Sequence, residues 1–323
     1  MKPHAGLWAL AAMTALLAVP VAYGADDALP DWARPTPPPV AVPRPADDGQ
    51  PRTIPGSTVS YTQKQIDNSR MAKDWFPATH PPMPPIVAGA EDAKVFACAH
   101  CHLVNGNGHP ESAALAGLPK SYFTGQLAAM ADGSRKAIGP MNRIAAALSR
   151  ADAEAAATYF TQLKPTPWVQ VVETATVAPT FVRDFMRQPV PGASPEPLGH
   201  RIIELPQDVA RVADRDPRVG FVAYVPSGSI AAGRALVAGS GATACAACHG
   251  SGLHGNAGVM GGVPWIAGRS PVYVYRQLWD FKHGARNGPA DAPMKGVAAN
   301  LTDDQMIDIA AYLGTLRPEG TPQ

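Results

Sequence analysis

Cys98-Ala99-His100-Cys101-His102 and Cys245-Ala246-Ala247-Cys248-His249 are two copies of one pattern, and together they use all four cysteines of the chain. C-x-x-C-H is the haem c attachment sequence. Cysteines three apart share one helical turn, so both sulfurs can reach the two vinyl groups of one haem. The histidine directly after the second cysteine then meets the iron from the proximal side. Two other chemistries use C-x-x-C. Paired zinc motifs usually stand ~15–20 residues apart, whereas Cys101 and Cys245 are far apart in the chain. Thioredoxin-like redox disulfides need a βαβ context that this sequence pattern lacks. Neither explains a histidine after both copies. The spacing assigns Cys98, Cys101, Cys245 and Cys248 to two haem c groups, with His102 and His249 as iron ligands.

The surroundings of the two motifs also match. The cysteines are offset by 147 residues (98 to 245). At an offset of 151, Leu115-Ala116-Gly117 aligns with Ile266-Ala267-Gly268, Tyr122 with Tyr273, Gln126-Leu127 with Gln277-Leu278, Gly133 with Gly284 and Arg135 with Arg286. At 153, Pro140-Met141 aligns with Pro293-Met294, and Tyr159 with Tyr312. Offsets that grow in steps are those of loop insertions between retained elements, so the chain carries an internal duplication.

A haem iron that only passes electrons needs a sixth ligand, and thioether sulfur raises its potential. Met141 lies 39 residues after His102 and Met294 lies 45 after His249, each following a proline. The expectation is that both sit on extended loops crossing the distal haem face. Single methionines are ordinarily core filler, the role expected for Met130 and Met260; Met141 and Met294 alone occupy equivalent positions in both repeats. His100 is expected to face outward. His109, His254 and His283 have no counterparts in the other repeat, so surface or propionate-contact roles are expected. The matched Arg135 and Arg286 suit either a haem propionate or a solvent-facing position.

The elements that must hold these residues can also be read. Ser149-Arg150-Ala151-Asp152 and Thr302-Asp303-Asp304-Gln305 are capping-box starts, the first with Asp at its third position. Met306, Ile309, Ala310 and Leu313 recur at helical spacing behind the second. Pro165 and Pro318 follow as stop signals. Between the repeats, Trp168–Val172, Arg201–Leu205 and Phe221–Val225 read as short strands.

Composition bounds the rest. With 323 residues, 46% of them hydrophobic, there is material for two domains. Lys+Arg 27 against Asp+Glu 26 is too balanced for a nucleic-acid footprint. Lys2, the apolar stretch Leu7–Val19 and small residues at Ala22 and Gly24 form an export signal with a cut after Gly24; the alternative is an uncleaved anchor. Of 35 prolines, 14 fall between Pro30 and Pro85, including Pro37-Pro38-Pro39. Such a segment is expected to be extended, without a packed core, as a tether or an arm over the folded part.

On these motifs the sequence resembles the diheme class I c-type cytochromes, particularly the c4 type. The likeness covers about residues 88–165 and 229–323. It implies a mainly α fold with two cytochrome c-like helical haem domains in tandem, relaying electrons in the bacterial periplasm. In that family a proline before the Ala-Gly step often fixes the proximal histidine through its carbonyl. Pro264-Trp265-Ile266-Ala267-Gly268 fits, whereas the first copy has Ala113, whose carbonyl could serve the same purpose. The expected organisation is signal peptide 1–24, proline-rich arm 25–87, haem domain 88–165, insert 166–228 and haem domain 229–323. The insert is either packing between the domains or a docking surface. The expected function is electron transfer between redox proteins through two His/Met haems, not enzyme catalysis. The alternatives are a diheme enzyme of peroxidase or thiosulfate-dehydrogenase type, or a cytochrome subunit of a larger, membrane-bound dehydrogenase or oxidase complex.

Overall fold

The computed structural model describes residues 28–34, 47–91, 93–183, 185–239, 245–259 and 261–318. The export segment 1–24, the run Pro37-Pro38-Pro39 and Met260 lie outside the described residues. Among the described residues no helix is long and apolar enough to cross a membrane.

Residues 47–91 correct the expectation of a coreless arm. They contain α1 (Gln63–Asp67), opened by a reciprocal Thr62/Gln65 capping box, and α2 (Pro85–Ala88). Ile54, Ile66, Trp75 and Phe76 are buried together, with the Tyr61 ring edge-on to Trp75 at 4.7 Å. The proline count concealed this because residues 56–76 contain no proline, and their apolar side chains suffice for a small cluster. Residues 28–34 lie instead against the second repeat, where Trp32 meets Tyr275 at 4.6 Å.

The first repeat consists of α3 (Cys98–His102), α4 (Lys120–Ala131), α5 (Met141–Ala147) and α6 (Arg150–Gln162). The Ser149 hydroxyl accepts from the Asp152 amide at 3.1 Å and starts α6. That helix buries Ala156, Ala157, Tyr159 and Phe160, and Phe160 stacks on Phe123 of α4 at 5.9 Å.

Among its described residues the insert carries seven strands: β1 (Val169–Glu173), β2 (Thr176–Val177), β3 (Thr180–Arg183), β4 (Met186–Pro189), β5 (Glu196–Pro197), β6 (Ile203–Pro206) and β7 (Phe221–Val225). A short helix, α7 (Val209–Ala213), precedes the last. All three strand-like runs of the sequence meet in one sheet, β1 parallel and β6 antiparallel to the central β7. β3 and β4 pair as an antiparallel hairpin.

The second repeat consists of α8 (Ser229–Val237), α9 (Cys245–His249), α10 (Pro271–Lys282), α11 (Ala292–Ala298) and α12 (Asp303–Thr315). The Thr302/Gln305 capping box opens α12, which buries Met306, Ile309, Ala310 and Leu313 as the spacing predicts. Glu204 of β6 reaches across from the insert to the start of α10. Its carboxylate accepts from the Ser270 hydroxyl at 2.8 Å and the Val272 amide at 2.7 Å, satisfying donors that a helix start leaves open.

One closure recurs in both repeats. Gly117 and Gly268 adopt φ +68° and +75°, and their amides donate to Phe160 and Leu313 at the ends of α6 and α12. A Cβ on Gly117 would stand 3.0 Å from Pro165, and one on Gly268 2.7 Å from Pro318. Glycine is therefore required where the loop after each haem motif crosses the end of the last helix.

Candidate haem sites

In α3 the His102 ring is buried and donates from Nδ1 to the Ala113 carbonyl at 2.8 Å. In α9 the His249 ring is buried and donates from Nδ1 to the Pro264 carbonyl at the same distance. A carbonyl can only accept, so each bond fixes the proton on Nδ1 and leaves the Nε2 lone pair as the one a metal could take. Burial holds both imidazoles in the neutral form, depressing His102 to about 4 and His249 below its ordinary value. The first repeat achieves this without the proline, through the alanine carbonyl.

No disulfide joins any of the four cysteines. Burial is the main cause that raises Cys98 to about 12 and also raises Cys101 and Cys245. Among the described residues no cluster of three or more His, Cys, Asp or Glu could hold a metal ion, so the two C-x-x-C pairs do not converge as a zinc site would require.

A cavity of about 450 Å³ opens beside α3, lined by Cys98, Cys101 and His102 and, from other elements, by Met130 and Met141. Its remaining walls are largely apolar, including Phe96, Leu118 and Phe123. This donor set and an apolar chamber with thiols and an imidazole on its wall fit a haem c. In the second repeat, Cys245 and Met294 pack against one apolar cluster that includes Leu253 and Leu278.

Several positions differ from their expected surroundings. Met141 opens α5 and Met294 lies in the first turn of α11, so neither occupies an extended loop. The preceding prolines fix φ near helical values and seed these turns instead of breaking them. Met130, expected as core filler, lines the same cavity as Met141. The comparison between repeats hid it because Phe281 stands at the equivalent place. His100 does not face outward: it is 5% exposed, and burial pushes it down to about 2. His100 bonds the Met71 backbone, and the charges of Arg215 of the insert and of Lys73 stand near it. His109 is also buried, at 4% exposure, with Nδ1 3.2 Å from the Glu111 carboxylate. His254 bonds the Arg317 carbonyl at 3.1 Å, and His283 stacks on Trp279 at 4.0 Å. Neither His254 nor His283 lines the cavity beside α3.

Arg135 and Arg286 are buried where the repeats meet, which removes the solvent-facing reading. Arg135 donates to Gln126 of its own repeat at 2.6 Å and to Gln277 of the other at 2.9 Å. Arg286 mirrors it, donating to Gln277 at 3.0 Å and Gln126 at 2.9 Å, and also pairs with Asp291. The matched tyrosines complete the cross-over, Tyr273 bonding Arg135 and Tyr122 bonding Arg286. Burial alone would raise the Tyr273 hydroxyl, but Arg135, Arg269 and Arg286 around it pull it below the usual phenol value. Arg269 is buried too and donates to Ala114 of the first repeat at 3.1 Å, beside Trp265, whose indole donates to Ala116 at 2.9 Å. Three buried guanidinium groups thus gather where Arg135, Arg269, Tyr273 and Gln277 border the cavity.

Residues 230–317 match the family model for cytochrome c. The chain is 28% identical over 231 residues to a thiosulfate dehydrogenase electron acceptor of Thiomonas intermedia, covering 69% of this chain and 80% of that protein. It is 29% identical over 147 residues to cytochrome c4 of Azotobacter vinelandii, covering 41% of this chain and 68% of that one. Over 68 residues it is 35% identical to cytochrome c-554(548) of Halomonas halodenitrificans, covering 21% of this chain and 78% of the relative.

Proposed function

Because the chain belongs to the cytochrome c family, which binds haem covalently and transports electrons, we propose that it is a diheme carrier built from two haem domains in tandem. Cys98 and Cys101 tether one haem, with His102 and Met141 as axial ligands. Cys245 and Cys248 tether the other, with His249 and Met294. When bound, each haem supplies reversible one-electron chemistry, at a potential raised by the thioether ligand. The observation that carries this reading is the repeated imidazole anchor, His102 on Ala113 and His249 on Pro264, each at 2.8 Å. It orients an iron ligand in both repeats.

The chain's other residues hold and insulate the groups. Phe123 and Leu118 exclude water from the first site. Arg135, Arg269 and Arg286 supply buried positive charge between the repeats, the electrostatic complement of haem propionates. That arrangement supports electron passage from one repeat to the other. The export segment and the kinds of relatives support a periplasmic location. The relative from Thiomonas intermedia is named an electron acceptor for thiosulfate dehydrogenase, so the donor we propose is a dehydrogenase of that kind.

A diheme enzyme remains the second reading. It is favoured by the cavity wall itself, to which the insert contributes Phe185, Met186 and Arg215. Haem quantitation on the purified native protein tests the main reading. Two covalent haems per chain are expected; one per chain would overturn it.

A further inference from the structure

Met141 stands between two restrained residues. Pro140 before it has a ring-limited φ of −85°, and Asn142 after it is half-buried with its side chain fully engaged. The Asn142 Oδ1 accepts from the Ala137 amide at 2.8 Å. Its Nδ2 donates to the Met130 carbonyl at 2.8 Å and to the Arg135 carbonyl at 2.7 Å. An acceptor facing an amide and two donors facing carbonyls allow this group one orientation.

All of these partners lie on the stretch that leads to Met141. Met130 is in the last turn of α4, where backbone carbonyls lack a partner within the helix. Arg135 and Ala137 lie in the connection between α4 and α5. No side chain caps the start of α5, so the Asn142 amide is what closes this connection onto the residue beside Met141. The connection is also fixed to the second repeat. The Lys136 amide donates to the Ala285 carbonyl at 2.7 Å, and the Asn287 amide donates to the Ser134 carbonyl at 2.8 Å. Asn142 thus joins Met141 to a strip of chain that the second repeat holds in place.

The second repeat is braced differently. Lys295 follows Met294, and its ammonium reaches the exposed side chain of Asn287. There the brace precedes the methionine: Asp291 accepts from the Gly288 amide at 3.0 Å and from Arg286 at 3.1 Å.

We propose that Asn142 is the positioning residue for the sixth ligand of the first haem, keeping the Met141 thioether at the cavity it lines. This inference rests on the reading of Met141 as that ligand. Without the amide, the connection loses its tie to α5 and the thioether leaves the cavity more often.

The test uses the full haem-loaded chain and two variants. Asn142→Ala removes every bond of the side chain. Asn142→Asp keeps the acceptor but sets a carboxylate against two carbonyls, and its protonation in acid restores a donor. Near-infrared absorption of the oxidised protein reads bound methionine, and rapid mixing of the reduced protein with carbon monoxide reads the open position. In Asn142→Ala, carbon monoxide uptake at one haem should be about tenfold faster or more, with a weakened band from that haem and none lost from the other. In Asn142→Asp the weakened band should recover on acidification, a rescue that a general loss of stability would not give. Unchanged band and uptake in Asn142→Ala, or equal change at both haems, overturns the proposal. If Asn142→Ala takes up no haem, Asn142→Asp carries the test, and a band independent of acidity overturns it. Met141→Ala separates the two levels. A band left intact there removes the ligand reading and this inference with it. A band lost there but kept in both Asn142 variants removes the inference alone.

Discussion

Arg135 and Arg286 face each other across the boundary between the repeats: their backbones form an isolated antiparallel bridge, and each guanidinium reaches the glutamine of the opposite repeat. Two like charges are held this close because Gln126, Gln277, Tyr122, Tyr273 and Asp291 accept their hydrogen bonds. Arg286→Gln would leave Asp291 buried without its cation, and breaking such a pair costs about 3–5 kcal/mol. Denaturant unfolding of the holoprotein should register that loss. Removal of positive charge near an iron also favours its oxidised form, so redox titration should give a lower potential by some tens of millivolts. An unchanged potential would separate this cluster from the haems.

Met130 and Met141 border one cavity, so spectroscopy of single variants decides between them. Met141→Ala should open one iron to external ligands such as carbon monoxide, and Met294→Ala the other. Met130→Ala should leave both iron spectra as they are. If Met130→Ala abolishes a methionine–iron signal while Met141→Ala does not, the ligand in the first repeat is Met130.

Tyr159 donates to the Val104 carbonyl at 2.7 Å, tying α6 to the loop that follows α3. The carbonyl is buried, and Tyr159→Phe leaves it without this donor. The expected loss is about 1–3 kcal/mol in equilibrium unfolding, with haem attachment intact.

Glu204 links the insert to α10, and burial, opposed by its hydrogen bonds to Val272 and Ser270, raises it from 4.5 to about 7. The folded state therefore holds this proton more tightly than the unfolded chain. Its contribution to stability is full below about pH 4.5, declines as pH rises, and is lost above about pH 7. Glu204→Gln cannot ionise and retains an acceptor. Thermal melts at pH 5 and pH 8 should show a smaller drop for the variant than for the wild type. Equal drops would mean that other groups, such as Asp280, which desolvation raises from 3.8 to about 6, carry the dependence.

The candidate haem motifs were legible because they are local: C-x-x-C-H fits on one turn, and the duplication marked Tyr122, Gln126 and Arg135 as positions of consequence. Helix starts at Ser149 and Thr302 were legible for the same reason. What escaped was set by distant chain. His100 is buried beside Met71 and Arg215, which arrive from segments on either side of the repeat in sequence. The packing of Trp75 and Phe76 was masked by the prolines around them. Comparing repeats found symmetric residues but passed over Met130 and Glu204, which have no counterpart to match. The same comparison could not show that matched arginines from two repeats would share the same two glutamines.

The central claim is that both haems carry a histidine and a methionine. Near-infrared absorption of the oxidised protein measures this most directly, since methionine bound to ferric haem gives its own charge-transfer band. Two haems' worth of that band is expected, with neither reduced iron taking up carbon monoxide rapidly. A band from one haem only, accompanied by rapid carbon monoxide binding at the other, would contradict the carrier and support an enzyme.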